Sequence, residues 1–339
     1  LLIMSRYERQ TRFQPFGEAG QAQLEQTKIM ILGAGALGSH MVDQLARMGA
    51  HQLAVVDMDI VELSNLHRQT LYDEQDAQHM TSKVEALKQK VFNINQHVQL
   101  KAYHQELLST NIEDIIKDFQ PDIILDGMDH FKIRYLINEV CHKLNIPWIY
   151  GAAVGSKGTV YGIDFTGPCL KCLLQQVPQT GESCAINGVL PPIVSIVASY
   201  EVAEAIRYIS GYGFSQQLIT LDAFNIQHQS LNIRQLKDDQ CPVCHFQKYD
   251  ILNDKLNHTI EPLCGDAVRF RLPAHSFDYA SDFPGHMIKS TPFAKLIQHK
   301  DLAFTLFKDG RMNVHGITEE TDVHEPVSYT HLTLPTKRI

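Results

Sequence analysis

Between two short apolar runs, residues 28–32 and 53–57, the chain reads Gly33-Ala34-Gly35-Ala36-Leu37-Gly38 and then a helical pattern that stops at Gly49. Strand, glycine turn, helix and strand make a β-α-β unit, in which the helix N-terminus carries unpaired N–H groups and the positive end of a dipole. Glycines at 33, 35 and 38 let backbone approach a phosphate at that point. Asp57 closes the second run about twenty residues after the loop, where a carboxylate accepts hydrogen bonds from both hydroxyls of a ribose. The unit predicts a Rossmann-like, doubly wound α/β sheet with a nucleotide held on Gly33, Gly35, Ala36, Gly38 and Asp57.

The remaining pattern extends that sheet. Buried strands are expected at 123–126 and 148–152, with helices at roughly 82–94 and 131–144 between them. After Gly151 the periodicity changes: 159–165 alternates like a strand of a mixed or antiparallel sheet, 195–209 reads as a helix ending at Gly211, and strands follow at 218–222 and 231–236. Segments 266–272, 292–298, 302–307 and 312–314 suggest a small β-α-β-β unit, with Asp309-Gly310 as its tight turn. The expected organisation is therefore one large domain over 5–246, a small α+β extension over 250–325 and an appended or disordered tail over 328–339.

Composition excludes several classes. A formal charge of -8 argues against a general nucleic-acid binder, which needs basic surface to displace counterions from phosphates. No run reaches the roughly 18 apolar residues of a membrane span, and the opening Leu1-Leu2-Ile3-Met4 is too short for a signal peptide, so a cytoplasmic protein is expected. Four of the seven cysteines fall in two Cys-x-x-Cys pairs, Cys169/Cys172 and Cys241/Cys244. Two such hooks suit a closed tetrahedral zinc site better than thiol redox chemistry. Cys141, in an apolar helical pattern, and Cys264 read as structural. None of the seventeen histidines is paired at helical spacing beside a carboxylate, and His97 and His104 read as surface residues flanking an edge strand.

On its own the glycine loop also suits a nicotinamide-dependent dehydrogenase. The residues after the second strand point elsewhere: Asp57-Met58-Asp59 leads into Val61-Glu62-Leu63-Ser64-Asn65-Leu66-His67-Arg68-Gln69. That run, with Thr81-Ser82-Lys83-Val84-Glu85 and Arg6-Tyr7-Glu8-Arg9-Gln10, resembles the MoeB/ThiF family of sulfur-carrier adenylyltransferases, relatives of ubiquitin-activating enzymes, over roughly residues 6–246. The resemblance implies that ATP replaces a dinucleotide on this unit, with Asp59, Ser64 and Asn65 among its contacts. Arg68 and Lys83 match the family's phosphate-handling cations, and Arg9 the arginine inserted into a neighbouring subunit's site, which implies a homodimer. Asp129 matches the Mg²⁺-binding aspartate, although His130 stands where the family carries Asn. Such cations are what attack at an α-phosphate requires.

The family also carries a zinc on its four cysteines. Cys184 resembles the crossover-loop cysteine that bonds covalently to the carrier or its sulfur in some members, and the alternative of a loop cysteine with no duty stays open. The implied partners are a ubiquitin-like carrier ending in Gly-Gly, of molybdopterin or thiamine type, and a cysteine desulfurase or rhodanese-like sulfur donor. Two other classes remain: an NAD-dependent oxidoreductase on the same unit, and a non-catalytic scaffold, which the retained cations argue against.

Overall fold

Four short, nearly uninterrupted apolar runs demand cover on both faces, and a parallel sheet flanked by helices supplies it. In the computed structural model, which describes residues 6–174, 188–254, 260–262, 267–283 and 285–316, β1 (Lys28–Leu32), β2 (Gln52–Asp57), β3 (Gln99–His104), β4 (Ile123–Asp126) and β5 (Trp148–Val154) form that sheet. They lie in the order β3-β2-β1-β4-β5, all parallel. Alternate residues face opposite ways. Met30, Leu32, Ala54, Val56, Ile124 and Trp148 share a core with Ile112, Ile116, Leu136 and Val140, while Ile29, Ile31, Leu53 and Val55 are equally buried on the other face. Each such side chain contributes about 1.5–3 kcal/mol of transfer free energy.

Among the helices are α1 (Glu8–Thr11), α2 (Gly17–Gln26), α3 (Ala36–Met48), α4 (Lys83–Ile94), α5 (Ile112–Phe119), α6 (Phe131–Leu144), α7 (Leu170–Leu173) and α8 (Pro191–Arg207). Helix α3 ends where the sequence places its stop: Gly49 turns left-handed at φ 86°, and Ala50 N donates to Leu45 O at 3.0 Å. Helix α8 starts on a proline pair and packs on α3, β5 and β6.

Past β5 the sheet continues antiparallel through β6 (Lys157–Ile163), β7 (Gln217–Asp222) and β8 (Gln227–Asn232). The strand expected at 231–236 thus lies four residues earlier, and Arg234–Leu236 is a 3₁₀ turn. Strand β8 is exposed throughout. It is held by its ladder to β7 rather than by apolar burial, so its Gln, His and Ser residues left no hydrophobic trace to read.

Contacts separate the chain into two compact units, the first from residues up to 76 and from 82 to 255, the second from 77–81 and the residues after 255. In the second, β9 (Ile260–Pro262), β10 (Ala267–Arg271), β11 (His286–Ser290), β12 (Ala294–His299), β13 (Leu302–Phe307) and β14 (Arg311–His315) form a sheet in the order β11-β12-β13-β14-β10-β9. Phe270, Phe277, Phe304, Leu306, Met312 and Val314 make its core. The helical member of the expected β-α-β-β unit is instead strand β12, and the helical turns described in this unit are short 3₁₀ segments. The misreading has a cause: Ala294 and Ile297, three residues apart, are the buried positions of β12, a helix-like spacing produced by a strand partly covered on both faces. The turn at Asp309-Gly310 is present, with Gly310 at φ 92°. Cys264 and the 328–339 tail lie outside the described residues.

Candidate active site

The order of strands reverses between β1 and β4, the place where sheets of this kind receive ligands between the loops that leave their C-terminal ends. The glycine loop occupies it after β1. Gly33 sits at φ 97°, and a Cβ at that position would lie 2.5 Å from the Gly127 carbonyl oxygen, while a Cβ at Gly38 would lie 1.8 Å from the Gly33 carbonyl oxygen. Neither position admits a side chain, so turn and helix α3 close on each other. The loop is anchored by Gly33 N on Val56 O at 2.8 Å.

Asp57, at the end of β2, accepts from Ala34 N through Oδ2 and from Asp59 N through Oδ1, both at 2.7 Å. Each oxygen keeps a second lone pair for a ribose hydroxyl. Burial and the neighbouring Asp59 push the Asp57 carboxyl above the ordinary carboxylate range, against the pull of Lys83. Lys83 opens α4, buried, with Nζ 3.3 Å from Asp59 Oδ2. Burial works against its ammonium, but Asp57, Asp59 and Glu62 outweigh it and hold Lys83 above the usual lysine value. The structure therefore keeps a charged lysine beside two carboxylates at the mouth of the loop.

The 3₁₀ turn Leu63–Asn65 carries the next group. Ser64 is exposed and Asn65 and Arg68 are half-buried; Arg68 Nη1 donates to Ser64 O at 3.1 Å. On the β4 side, the Asp129 side chain is 68% exposed, with Oδ1 3.6 Å from His130 Nε2.

One expected residue, Arg9, stands apart from this group. Arg9 is exposed on α1, and α1 docks at the far end of α3, where Gln10 Nε2 donates to Met48 O at 2.8 Å and Tyr7 packs over Gly49. That is about 18 Å of helix from the glycine loop, at 1.5 Å per residue. Cys184 lies outside the described residues.

The four cysteines come together. Cys169 Sγ lies 3.8 Å from Cys172 Sγ and 3.6 Å from Cys241 Sγ, and Cys172 Sγ lies 3.4 Å from Cys244 Sγ; all four sulfurs fall within 4.8 Å of one another. Four thiolates at about 2.3 Å from a tetrahedral zinc stand about 3.8 Å apart. The cluster fits that ion. Hydrogen bonding from Cys169 holds the Cys172 thiol down at about 6. Burial pushes Cys141 well up, in keeping with a structural thiol.

Several site residues have no local signature. Tyr72 donates from its buried hydroxyl to Ala34 O at 2.7 Å and is held protonated by burial and by Asp57. Asn138 accepts from Leu170 N at 3.0 Å through Oδ1 and directs Nδ2 at Cys169 Sγ at 3.6 Å. Gln69, buried, faces Gly35. Asp126 and Arg134 form a buried ion pair at 2.8 Å; burial raises Asp126 and opposes the charge on Arg134, and each keeps the other charged. Nothing local marked this pair, because the helix that carries Arg134 also carries Lys132, Asn138, Glu139, His142 and Lys143.

The ThiF family model matches residues 7–243, which take in the glycine loop, the Ser-Asn-Leu-x-Arg run, Lys83, Asp129 and all but the last cysteine of the cluster. The chain belongs to the ThiF family. It is an adenylyltransferase, and as such a user of ATP; the nicotinamide and scaffold readings are set aside. The ThiF match is supported along the length of the chain: it is 32% identical over 329 residues to the sulfur carrier protein ThiS adenylyltransferase of Bacillus subtilis (strain 168), covering 94% of this chain and 96% of that protein. It is 33% identical over 253 residues to the sulfur carrier protein adenylyltransferase of Thermus thermophilus, covering 71% and 90%. Against the adenylyltransferase and sulfurtransferase MOCS3 of Drosophila persimilis the identity is 34% over 250 residues, 72% of this chain but 54% of that one. Among solved structures, E. coli MccB with ATP superposes with a TM-score of 0.61 at 24% identity, covering 71% of this chain and 75% of MccB, and so shares the fold of the ThiF domain. Among the described residues no helix is long and apolar enough to cross a membrane.

Proposed function

We propose that this ThiF-family enzyme adenylylates the C-terminal glycine carboxylate of a ubiquitin-like sulfur carrier of the ThiS type. The carrying observation is the assembly at one sheet edge of a side-chain-free phosphate loop, Asp57, Asp59, Lys83 and Arg68 on one side and Asp129 on the other. The carrier assignment rests on the B. subtilis relative, whose match runs through 94% of the chain and includes the second unit. A MoaD-type carrier, of the molybdopterin route, is the second reading.

The reaction is an in-line attack of one carboxylate oxygen on the α-phosphorus of ATP. The bond to the bridging oxygen of the β-phosphate breaks, pyrophosphate leaves, and a carrier acyl-adenylate remains. The attacking carboxylate is ionised at neutral pH and needs no general base. Catalysis is positioning and charge stabilisation: Gly33, Gly35, Ala36 and Gly38 present backbone to the phosphates, and Asp57 takes the ribose with Asp59, Ser64 and Asn65 around it. Lys83 and Arg68 face the developing charge. Asp129 would hold Mg²⁺, which when bound neutralises the phosphates. Arg9, remote from its own loop, would enter the site of a second subunit, in a homodimer. Zinc on Cys169, Cys172, Cys241 and Cys244 would be structural. The sulfur would come from a separate persulfide donor, a cysteine desulfurase or rhodanese-like protein, with Cys184 as the candidate thiol for a covalent step in the cytoplasm.

ATP–pyrophosphate exchange by the purified protein, with ThiS-type and MoaD-type carriers added in turn, tests the reading. Exchange that depends on the ThiS-type carrier is expected. Exchange with the MoaD-type carrier alone transfers the assignment to the second reading, and no exchange with either, from folded protein with its metal, overturns the proposal.

A further inference from the structure

Met128 is held at both of its peptide groups. Its N–H donates to Asp126 Oδ1 at 2.8 Å, and its carbonyl accepts from Arg134 Nη2 at 2.5 Å. Nε of the same guanidinium closes the ring on Asp126 Oδ2 at 2.8 Å, and Nη2 also reaches the Gly151 carbonyl on β5 at 2.8 Å. The rings of Phe131 and Tyr150 lie 5.6 and 5.3 Å from the guanidinium carbon. Asp126 and Arg134 are 0% and 4% exposed, so this network is shielded from water and weakly screened.

The next residue in the chain is Asp129, whose side chain is open to solvent. The preceding residue is Gly127, whose N–H donates to Leu32 O at 2.7 Å and whose carbonyl packs against Gly33. One guanidinium therefore fixes a strip of backbone that forms the floor of the glycine loop at one end and carries an unburied carboxylate at the other.

We infer that Arg134 is a positioning residue: it sets Asp129 at a fixed distance from the phosphate loop, so that the metal–nucleotide complex meets a carboxylate already in place. This rests on the reading of Asp129 as the magnesium ligand. The ordering entropy of the loop is spent on folding instead of at each binding event. A lysine at 134 keeps the charge but is a point donor on a flexible stem, unable to span Asp126, Met128 and Gly151 with a planar fork. The carbonyl of Met128 would be released first.

The test is run on the full chain at fixed ATP, titrated with MgCl₂ and read both as ATP-dependent Mg²⁺ binding by calorimetry and as carrier-dependent ATP–pyrophosphate exchange, for wild type, Arg134→Lys, Phe131→Leu and Asp129→Asn. Arg134→Lys is expected to raise the Mg²⁺ concentration for half-maximal binding and exchange by about tenfold or more, as loss of a partner that orients a metal ligand does, with the KM for ATP at saturating Mg²⁺ moving by less than about twofold. Phe131→Leu keeps every hydrogen bond, removes one face of the clamp, and should shift the same midpoint by about threefold; it decides the matter if Arg134→Lys does not fold. A fall in kcat with an unchanged Mg²⁺ midpoint in these variants would mark Arg134 as purely structural and overturn the inference, provided Asp129→Asn abolishes the Mg²⁺ response. If Asp129→Asn leaves that response intact, the reading of Asp129 fails first, and the clamp has nothing to position.

Discussion

The nucleotide edge and the cysteine cluster belong to the same unit and are built on opposite principles. At the edge, the parts are backbone and scattered charges delivered by five separate segments: the glycine loop, the end of β2, the Leu63–Asn65 turn, the start of α4 and the end of β4. The groups proposed to meet a ligand, such as Asp129 and Ser64, are left open to solvent. The cluster is the reverse: four side chains of one chemistry, brought by two hooks and closed on themselves, with three of the four buried. An open site can lose a group and remain a folded protein with a slower reaction. A closed site that loses a ligand loses the restraint it supplied to the chain after β6 and β8.

The largest expected effect breaks the closed site. Zinc bound by four thiolates carries on the order of 10 kcal/mol of folding free energy, so Cys241→Ser, or a strong chelator, should lower the melting temperature by well over 10 °C. Calorimetry with metal analysis checks it; unchanged melting after complete metal loss would show the cluster contributes nothing to the fold. At the open edge, Arg68→Ala should cut exchange by about 10²- to 10³-fold with little change in melting temperature. Steady-state exchange rates beside a melting curve decide it, and a variant that unfolds while keeping its rate per folded molecule would erase the contrast.

A smaller effect comes from Glu201 on α8, fully buried against Gly151. Burial, reinforced by Asp126, pushes its carboxyl well above its ordinary 4.5, against the weaker pull of Arg134 and of a backbone hydrogen bond at Asp126. A carboxyl raised in the folded state favours folding below about pH 4.5 and loses that contribution as pH rises through the folded value. Glu201→Gln should therefore flatten the decline of stability with pH and gain about 1–2 kcal/mol on the alkaline side. Melting curves from about pH 6 to 9 measure it, and parallel curves for the two proteins would refute it. The smallest effect separates ligating thiols from a reactive one: Cys184→Ser should leave pyrophosphate exchange within about twofold of wild type while lowering carrier thiocarboxylate formation. Mass spectrometry of the carrier reads the second quantity, and full thiocarboxylation by the variant would remove Cys184 from the chemistry.

Much of the edge was legible because its demands are local. A backbone approach to phosphate asks for glycine at 33, 35 and 38, a ribose asks for a carboxylate after the second strand, and both fall within one β-α-β unit. The cysteine hooks were legible for the same reason, each spanning four residues. What escaped was whatever answers to a distant neighbour: Tyr72 to Ala34, Asn138 to Cys169, Arg134 to Gly151. Strand β8 was placed four residues late because a backbone ladder holds it, and β12 read as a helix because its buried positions fell three apart.

The amino-acid sequence alone determined the class of sheet, the glycine turn between its first strand and helix, the pairing of cysteines into two hooks, and the family, since each depends on spacing along a few consecutive residues. Only the tertiary structure decided that the two hooks share one centre, that Arg9 stands at the far end of α3 from its own loop, that the second unit is an antiparallel sheet, and that one buried guanidinium grips the backbone beside Asp129. Those facts depend on which segments lie side by side once the core is packed. A side chain's local pattern records what it is, and its partner across the fold is set by the summed packing of many other residues.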